Sequence, residues 1–255
     1  MATTESEIHL YWATGCTSCL NAKEFLERNE VDFVSHNIIN DRAKLDDLEA
    51  IGLPRNVPWV IKGTEWANGQ ILSDVADLVG IEHAAEPLTV DDLKDRLDTI
   101  LDAAYRFLHE IPEDELDTDI PNRPRSYAEL VYHIFGIPDS FLEHEDGIPL
   151  KSWKSTVPWD DYSTEVLAEY ATDVQTRLDT YFDGPAQDRD WSTGADVYYG
   201  EPTVHELFER VTWHSGQHTR QLEWILENEL GIEAVDTPGQ ETWDGLPMPE
   251  KVWDA

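Results

Sequence analysis

The segment Thr203–Leu230 most constrains the fold, because its apolar residues recur at helical spacing. These residues are Val204, Leu207, Phe208, Val211, Leu222, Ile225 and Leu226. Thr203 and Glu206 have the spacing of a capping box at the start, and Gly231 stands where a helix would end. The pattern predicts one long amphipathic helix.

Two histidines lie on this predicted helix. His214 and His218 are four residues apart, so their rings project from one face about one turn apart. A helix uses this spacing to offer two ligands to one divalent metal. The alternative is a pair of ordinary helix histidines, since the pattern is short and common.

Three more helices are predicted before this one, each starting at a serine or threonine that can cap it. They cover Thr89–Glu110, Ser126–Glu145 and Ser163–Phe182. Pro138 is expected to kink the second of them. Four helices of about 20 residues joined by long loops predict an all-α four-helix bundle.

A third histidine lies mid-way along the second predicted helix. His133 falls near the boundary of the apolar face, where a lone histidine is more often a hydrogen-bonded core residue. With His214 and His218 on a neighbouring helix, it completes a site of three protein nitrogens with open positions for water or a thiolate. His144 and His205 lie near helix ends and are not expected to be ligands.

The N-terminal segment carries a Cys-x-x-Cys motif between a strand and a helix. The apolar run Ile8–Trp12 predicts the strand, and a helical pattern follows from about residue 20 to 29. Cys16 at the helix start would be favoured as a thiolate, and Cys19 is placed to resolve a mixed disulfide. Further strands are predicted at residues 31–37 and 59–61, with an acidic helix at 42–51 between them.

Half of a zinc site is the alternative for the two cysteines. It would need a second ligand pair, and the histidines available in the first 87 residues are not closely spaced. They are His9, His36 and His83.

Residues 7–82 resemble a glutaredoxin, on the strand leading into Cys16-Thr17-Ser18-Cys19, the helix behind it and Val57-Pro58 before a strand. The resemblance implies an α/β thioredoxin-like fold, with Cys16 as nucleophile and Cys19 as resolving thiol. It also implies that Val57 and Pro58 position the substrate thiol, Pro58 through a cis peptide bond. The family's Gly-Gly turn, part of its glutathione site, is absent from 62–70. The identity of the small thiol that docks there therefore stays open.

Residues 89–230 resemble the DinB superfamily of four-helix bundles, on Leu130–Ile134 and His214–Gln221. The resemblance implies a divalent metal, zinc or nickel, held by His133, His214 and His218. It also implies thiol transfer or isomerisation with a low-molecular-weight thiol such as mycothiol or bacillithiol.

The predicted organisation is therefore two domains and a tail. Residues 1–84 form the glutaredoxin-like domain, 88–232 the DinB-like bundle, and 233–255 a tail packed on the bundle. Residues 83–87 read as the linker. Tryptophans in the bundle's long loops either roof a pocket over the metal or pack in the core; they are Trp153, Trp159 and Trp191.

The charge restricts the class of partner. Lysine and arginine number 18 against 53 acidic residues, a net charge of −35, which repels phosphate backbones and anionic lipid. We expect no nucleic-acid or membrane partner, and a salt-accumulating source is one hypothesis for the acidity. With no long apolar run and no secretory signal in the sequence, a cytoplasmic location is predicted.

The sequence predicts a thiol-dependent metalloenzyme, with metal-activated thiol transfer or isomerisation coupled to thiol–disulfide exchange. Its partners would be a small thiol and an electrophilic or disulfide substrate, with a homodimer through the bundle also possible. The first alternative is a dithiol oxidoreductase whose bundle is a non-catalytic metal-binding or dimerising module. A stress-response metal-binding or redox-sensing protein without turnover is the second.

Overall fold

The computed structural model describes residues 7–82, 87–121, 125–159 and 163–254. The chain divides into two compact units, Pro87–Met248 and a unit combining Met1–Glu86 with Pro249–Ala255. Most of the predicted linker, residues 83–86, lies outside the described residues. Over the described residues, no helix has the length and apolar character needed to cross a membrane.

The N-terminal unit contains a four-stranded sheet with helices, as expected of a thioredoxin-like fold. Its strands are β1 (Ile8–Trp12), β2 (Val34–Asn37), β3 (Trp59–Lys62) and β4 (Glu65–Asn68), and its helices are α1 (Thr17–Arg28), α2 (Lys44–Ala50) and α3 (Leu72–Val79). The strand order is β2-β1-β3-β4. Strand β1 is parallel to β2 and antiparallel to β3, and β3 is antiparallel to β4.

Two features of this unit differ from the sequence-based expectation. Helix α1 begins at Thr17 rather than about Leu20, because Cys16 caps it: the Cys16 sulfur accepts a hydrogen bond from the Cys19 amide. Strand β4 was not predicted. Its first two residues are exposed and its last two are buried, so the alternation of buried and exposed residues that identifies a half-buried strand is missing.

The second unit is built on four long helices, as predicted. They are α4 (Val90–Glu110), α5 (Tyr127–Glu145), α6 (Thr164–Asp183) and α7 (Val204–Ile225), and a π-helical turn extends α7 over Leu226–Leu230. Each starts after its predicted cap, namely Thr89, Ser126, Ser163 and Thr203. Short 3-10 helices at Glu113–Glu115 and Pro185–Asp188 and helix α8 (Gln240–Trp243) complete the unit.

Helix α5 continues through Pro138. Proline has no amide hydrogen, so the carbonyl four residues earlier loses its helical partner. That carbonyl belongs to Ile134, and the Ser215 hydroxyl of α7 donates to it at 3.1 Å. The carbonyl that the proline leaves without a helical donor therefore joins α5 to α7, at residues next to His133 and His214 in the sequence.

The expectation for the C-terminal tail needs a correction. Residues as far as Met248 belong to the bundle unit, and the Trp243 ring packs so closely on Gly216 that an added Cβ would lie 3.0 Å from it. The tail from Pro249 onward instead belongs to the N-terminal unit. Hydrogen bonds from its backbone to Glu24, described below, hold it there.

Candidate metal and dithiol sites

The dithiol lies at the start of α1. Cys16 is partly buried, whereas Cys19 is fully buried, and the two form a disulfide. Cys16 is therefore the sulfur that an incoming molecule can reach first. This geometry agrees with the nucleophile and resolving roles predicted for Cys16 and Cys19, which stay predictions.

The Val57-Pro58 peptide bond is cis. Val57 packs against the same apolar cluster as Cys16. The Pro58 carbonyl accepts a hydrogen bond from the Gly69 amide at 3.0 Å, and a Cβ on Gly69 would come within 3.0 Å of the proline ring. Gly69 thus lets the backbone after β4 approach Pro58 closely. The role of Val57 and Pro58 in positioning a substrate thiol stays a prediction.

The second site joins three buried histidines from α5 and α7. His133, His214 and His218 are 4%, 6% and 1% exposed, and each offers one ligand nitrogen within 4.8 Å of the others. The Nε2 atoms of His214 and His218 are 3.2 Å apart. Two nitrogens at about 2.05 Å from a tetrahedral zinc would stand about 3.3 Å apart. The three side chains therefore fit a divalent metal.

The hydrogen bonds of two of these rings leave Nε2 as the nitrogen that could bind a metal. His133 Nδ1 lies 2.5 Å from the Lys154 carbonyl, and His218 Nδ1 lies 2.7 Å from Gln221 Oε1. A carbonyl oxygen can only accept, so each Nδ1 must carry the proton and each Nε2 keeps its lone pair. Partners of this kind orient metal-binding histidines and raise their basicity.

The loop that carries Lys154 is fastened to α5 over several turns. The Lys154 amide donates to the Ser140 hydroxyl at 3.3 Å, and its ammonium group contacts Asp139 at 2.5 Å and Glu143 at 2.7 Å. At Gly136 a Cβ would lie 2.9 Å from the Lys154 carbonyl oxygen. The absence of a side chain there lets the carbonyl reach His133, one turn away.

Asp139 is a buried carboxylate at the centre of this anchor. It also accepts hydrogen bonds from Tyr170 at 2.7 Å and Arg177 at 2.8 Å. Burial alone would raise the pKa of Asp139, but the hydrogen bonds from Lys154, Tyr170 and Arg177 outweigh it and hold the pKa below its ordinary value. Asp139 therefore stays ionised and keeps Lys154 in place.

The three loop tryptophans have different surroundings. Trp153 packs edge-on against His214 with ring centroids 5.6 Å apart. Trp159 contacts an aromatic pair on α5 and α6, and Trp191 stacks among phenylalanines. Trp153 therefore lies against the histidine cluster, while the partly buried Trp191 packs against phenylalanine rings.

Sequence reasoning missed both hydrogen-bond partners of the histidines. Gln221 is three residues after His218, so helical spacing could have identified it. Lys154 acts through its backbone from a distant loop, which leaves no sequence signal. His9 and His36 are far apart in the sequence, yet pairing of β1 with β2 brings their rings together, with His9 Nδ1 and His36 Nε2 2.9 Å apart.

His144 and His205 make hydrogen bonds at other places. His144 Nδ1 contacts Glu145 at 3.1 Å, and its Nε2 accepts from the Asp196 amide. His205 Nε2 lies 2.8 Å from the Leu88 carbonyl. Both rings tie helix ends to neighbouring loops.

Comparison with protein families assigns both parts of the chain. The DinB superfamily profile matches residues 76–222, more than half of the sequence. The chain belongs to the DinB superfamily. A glutaredoxin profile matches residues 8–66, so this DinB-superfamily chain carries a glutaredoxin domain ahead of its bundle. The DinB match begins within α3, eleven residues before the bundle unit that starts at Pro87.

One curated relative matches a short segment. Global transcriptional regulator Spx 2 of Bacillus anthracis is 38% identical over 42 residues, which are 16% of this chain. The chain spans about a third of that relative's length, since the match covers 32% of it. The glutaredoxin and DinB domains and this Spx-like segment together support a function of the thiol-redox type.

Two solved structures show a remote likeness to this chain. Beta-etherase LigF from Sphingobium sp. strain SYK-6 is 12% identical with a TM-score of 0.34, over 94% of this chain and 91% of that one. A human glutathione-S-transferase is 13% identical with a TM-score of 0.29, over 94% of this chain and 97% of that one. At these scores neither likeness bears on the function of this chain.

Proposed function

We propose that this DinB-superfamily chain is a thiol-dependent metalloenzyme. Its bundle would activate a low-molecular-weight thiol for transfer or isomerisation, and its glutaredoxin domain would carry out thiol–disulfide exchange on the same class of sulfur compound. The observation that supports this most is the convergence of three buried imidazoles from α5 and α7, two of them oriented by carbonyl oxygens.

His133, His214 and His218 would hold the metal, zinc or nickel. A divalent metal bound there would supply Lewis acidity that lowers the pKa of a small thiol, so that a thiolate is available at neutral pH. The Lys154 carbonyl and Gln221 keep the protons of two imidazoles on Nδ1. Trp153 packs against His214 and limits access of water to that ring.

The dithiol half of the proposal follows ordinary exchange chemistry. The Cys16 thiolate attacks one sulfur of a mixed disulfide and releases the other sulfur as a thiolate. Cys19 then loses its proton to solvent and attacks the Cys16 sulfur, which releases the second thiol. The product is the Cys16–Cys19 disulfide found in the structure. A small thiol in excess must reduce it again.

The proposal extends to partners and location. The partners are a small thiol and an electrophilic or disulfide substrate, since a net charge of −35 disfavours nucleic acid and anionic lipid. A reducing compartment such as the cytoplasm suits a dithiol of this kind. The bundle is the part of the chain through which we propose that two copies associate.

Metal content measured by elemental analysis tests the proposal. We expect about one divalent metal per wild-type chain after reconstitution with zinc or nickel, and loss of that metal in His133→Ala and His214→Ala. The matched controls are His144→Ala on α5 and His205→Ala on α7, which remove a histidine from each helix outside the cluster. Both controls should keep the metal.

Three outcomes contradict parts of the proposal. A wild type that stays metal-free after reconstitution would rule out a metalloenzyme and leave a dithiol oxidoreductase with a helical module. Stoichiometric metal without any metal-dependent turnover, in a screen of small thiols against electrophiles and disulfides, would assign the chemistry to the glutaredoxin domain alone. Retention of the metal in both His133→Ala and His214→Ala would show that the histidine cluster is not the binding site.

A further inference from the structure

The C-terminal segment 250–254 lies along α1 and is hydrogen-bonded at both of its ends. The amides of Glu250 and Lys251 donate to the Glu24 carboxylate at 2.6 and 3.2 Å. The Gly15 amide donates to the two carboxylate oxygens of Asp254 at 3.0 and 2.8 Å. The segment therefore runs antiparallel to α1, from the middle of the helix to the loop before Cys16.

Glu24 makes this surface of α1 specific for a peptide backbone. Glu24 is 4% exposed, and burying a carboxylate costs free energy unless hydrogen-bond donors reach it. Two successive backbone amides of the tail supply such donors. Arg28, one turn further along α1, forms an ion pair with the Glu250 side chain at 3.5 Å. These contacts belong to one compact unit of the chain.

The other end of the segment brings a negative charge next to the dithiol. The Asp254 carboxylate accepts the hydrogen bond of the Gly15 amide, directly before Cys16, and Cys16 in turn caps α1. In the disulfide neither sulfur is charged. Reduction adds two electrons and two protons and gives two thiols, and Cys16 then loses a proton to become a thiolate. That thiolate and the Asp254 carboxylate repel each other, because Asp254 is held at the residue next to Cys16.

We propose that segment 250–254 is an intramolecular ligand of the dithiol site, docked on α1 while Cys16 and Cys19 are oxidised and released when Cys16 is a thiolate. The docked segment covers the Gly15 amide, a donor that the carboxylate of an anionic thiol or acidic peptide would use. Tail and anionic substrate therefore exclude each other, and reduction opens the site. The inference rests on the dithiol half of the proposed function and does not involve the bundle's metal site.

Amide hydrogen exchange on the full-length protein tests the redox dependence. In the oxidised wild type the amides of Gly15, Glu250 and Lys251 should be protected, and reduction with dithiothreitol should increase their exchange about tenfold or more. In Asp254→Asn the side-chain oxygen can still accept the hydrogen bond from the Gly15 amide, but the repulsion from the Cys16 thiolate is lost. Reduction should therefore change the exchange of these amides much less. Glu27→Gln removes an exposed charge of α1 whose side chain makes none of the docking contacts described above, and it should behave as the wild type does.

Thiol titration supplies a second readout. In a Cys19→Ser background, which leaves Cys16 as a single thiol, Asp254→Asn should lower the pKa of Cys16 by roughly half a unit to one unit. Glu27→Gln should leave that pKa unchanged. The difference in Cys16 pKa between the proteins with and without the Asp254 charge should shrink at about 1 M salt, where the Debye length is about 3 Å.

Equal protection of the three amides in both redox states would overturn the proposal, as would a Cys16 pKa that is the same with and without the Asp254 charge. Neither measurement needs a bound metal or turnover. A failure of the metalloenzyme proposal therefore leaves this inference standing. Loss of all thiol–disulfide exchange in the wild type would instead contradict the dithiol function itself.

Discussion

At the scale of single residues, the bundle contains a buried carboxylate whose charge stabilises the fold. The Glu145 side chain is 5% exposed and accepts hydrogen bonds from Arg189 at 2.7 Å and Tyr181 at 2.6 Å, with His144 at 3.1 Å. Burial alone would raise the pKa of Glu145, but the bonds from His144, Arg189 and Tyr181 outweigh it and lower the pKa from 4.5 to about 2.

This shift predicts a pH-dependent contribution to stability. A carboxyl whose pKa is lowered by folding stabilises the native state above its unfolded pKa, and that stability is lost as pH falls through the folded pKa. We expect Glu145→Gln to reduce the free energy of unfolding by roughly 3 kcal/mol at pH 7. The difference from wild type should shrink as pH falls from about 4.5 to about 2.

Denaturant unfolding of both proteins across this pH range measures the effect. Asp146→Asn, an exposed neighbour, is the control and should change stability by less than about 0.5 kcal/mol. A Glu145→Gln difference that stays constant down to pH 2 would mean that its cause is packing and not charge.

At the scale of elements, the helices of the bundle could be predicted because their signals are local. Thr89, Ser126 and Thr203 each form a capping box with the acidic residue three positions later, and the helix begins at the next residue in each case. The positions of His214 and His218 on one face of α7 follow from the same periodicity. Local chemistry therefore predicted both the elements and much of the candidate site.

Contacts between distant segments could not be predicted in this way. The Lys154 carbonyl reaches His133 from a loop 21 residues further along the chain, through a backbone atom that every residue type possesses. Ser215 completes the hydrogen bonding of Ile134 across two helices, although Pro138 alone suggested a kink. Such partners depend on how the helices pack, and residue type does not encode them.

The approach of the Lys154 loop to α5 makes a prediction for Gly136. In Gly136→Ala the new Cβ would lie 2.8 Å from the Lys154 Cβ and 2.9 Å from its carbonyl oxygen, so the loop must move away. His133 then loses the carbonyl that orients its ring, and we expect the zinc affinity of the protein to fall about 10- to 100-fold. Competition with a chelating indicator dye measures that affinity.

A matched control separates this effect from a general loss of stability. Gly194→Ala adds the same methyl group where nothing lies within 4 Å, and it should leave zinc affinity unchanged. Unfolding of the metal-free proteins should be measured beside the titrations. Normal zinc affinity in a folded Gly136→Ala variant would contradict the orienting role of the Lys154 carbonyl.

At the scale of the whole molecule, the sequence indicated two domains but not the path of the tail. The Cys-x-x-Cys segment and the helical periodicity each extend over a continuous stretch, so each domain could be recognised by itself. Pro249 onward joins the first unit after more than 160 intervening residues, Pro87–Met248. Its contacts include backbone amides and the carboxylates of Glu250 and Asp254, and acidic residues are too frequent in this chain for either to be distinctive.

The net charge of −35 makes the last prediction, which concerns the stability of the whole chain. Self-repulsion destabilises the compact state, and salt reduces it, because the Debye length falls from about 10 Å at 0.1 M to about 3 Å at 1 M. We expect the thermal unfolding midpoint to rise by about 5 °C or more when potassium chloride is raised to 1 M.

Guanidinium chloride distinguishes screening from a general effect of salt on hydration. At about 0.2 M it screens charge like any salt but has little denaturing effect, so the unfolding midpoint should rise there and fall at higher concentration. A midpoint that falls at every guanidinium concentration and does not respond to potassium chloride would show that repulsion is already balanced in the folded chain. The acidity would then have to act on solubility, through the hydration of the carboxylates, and not on the stability of the fold.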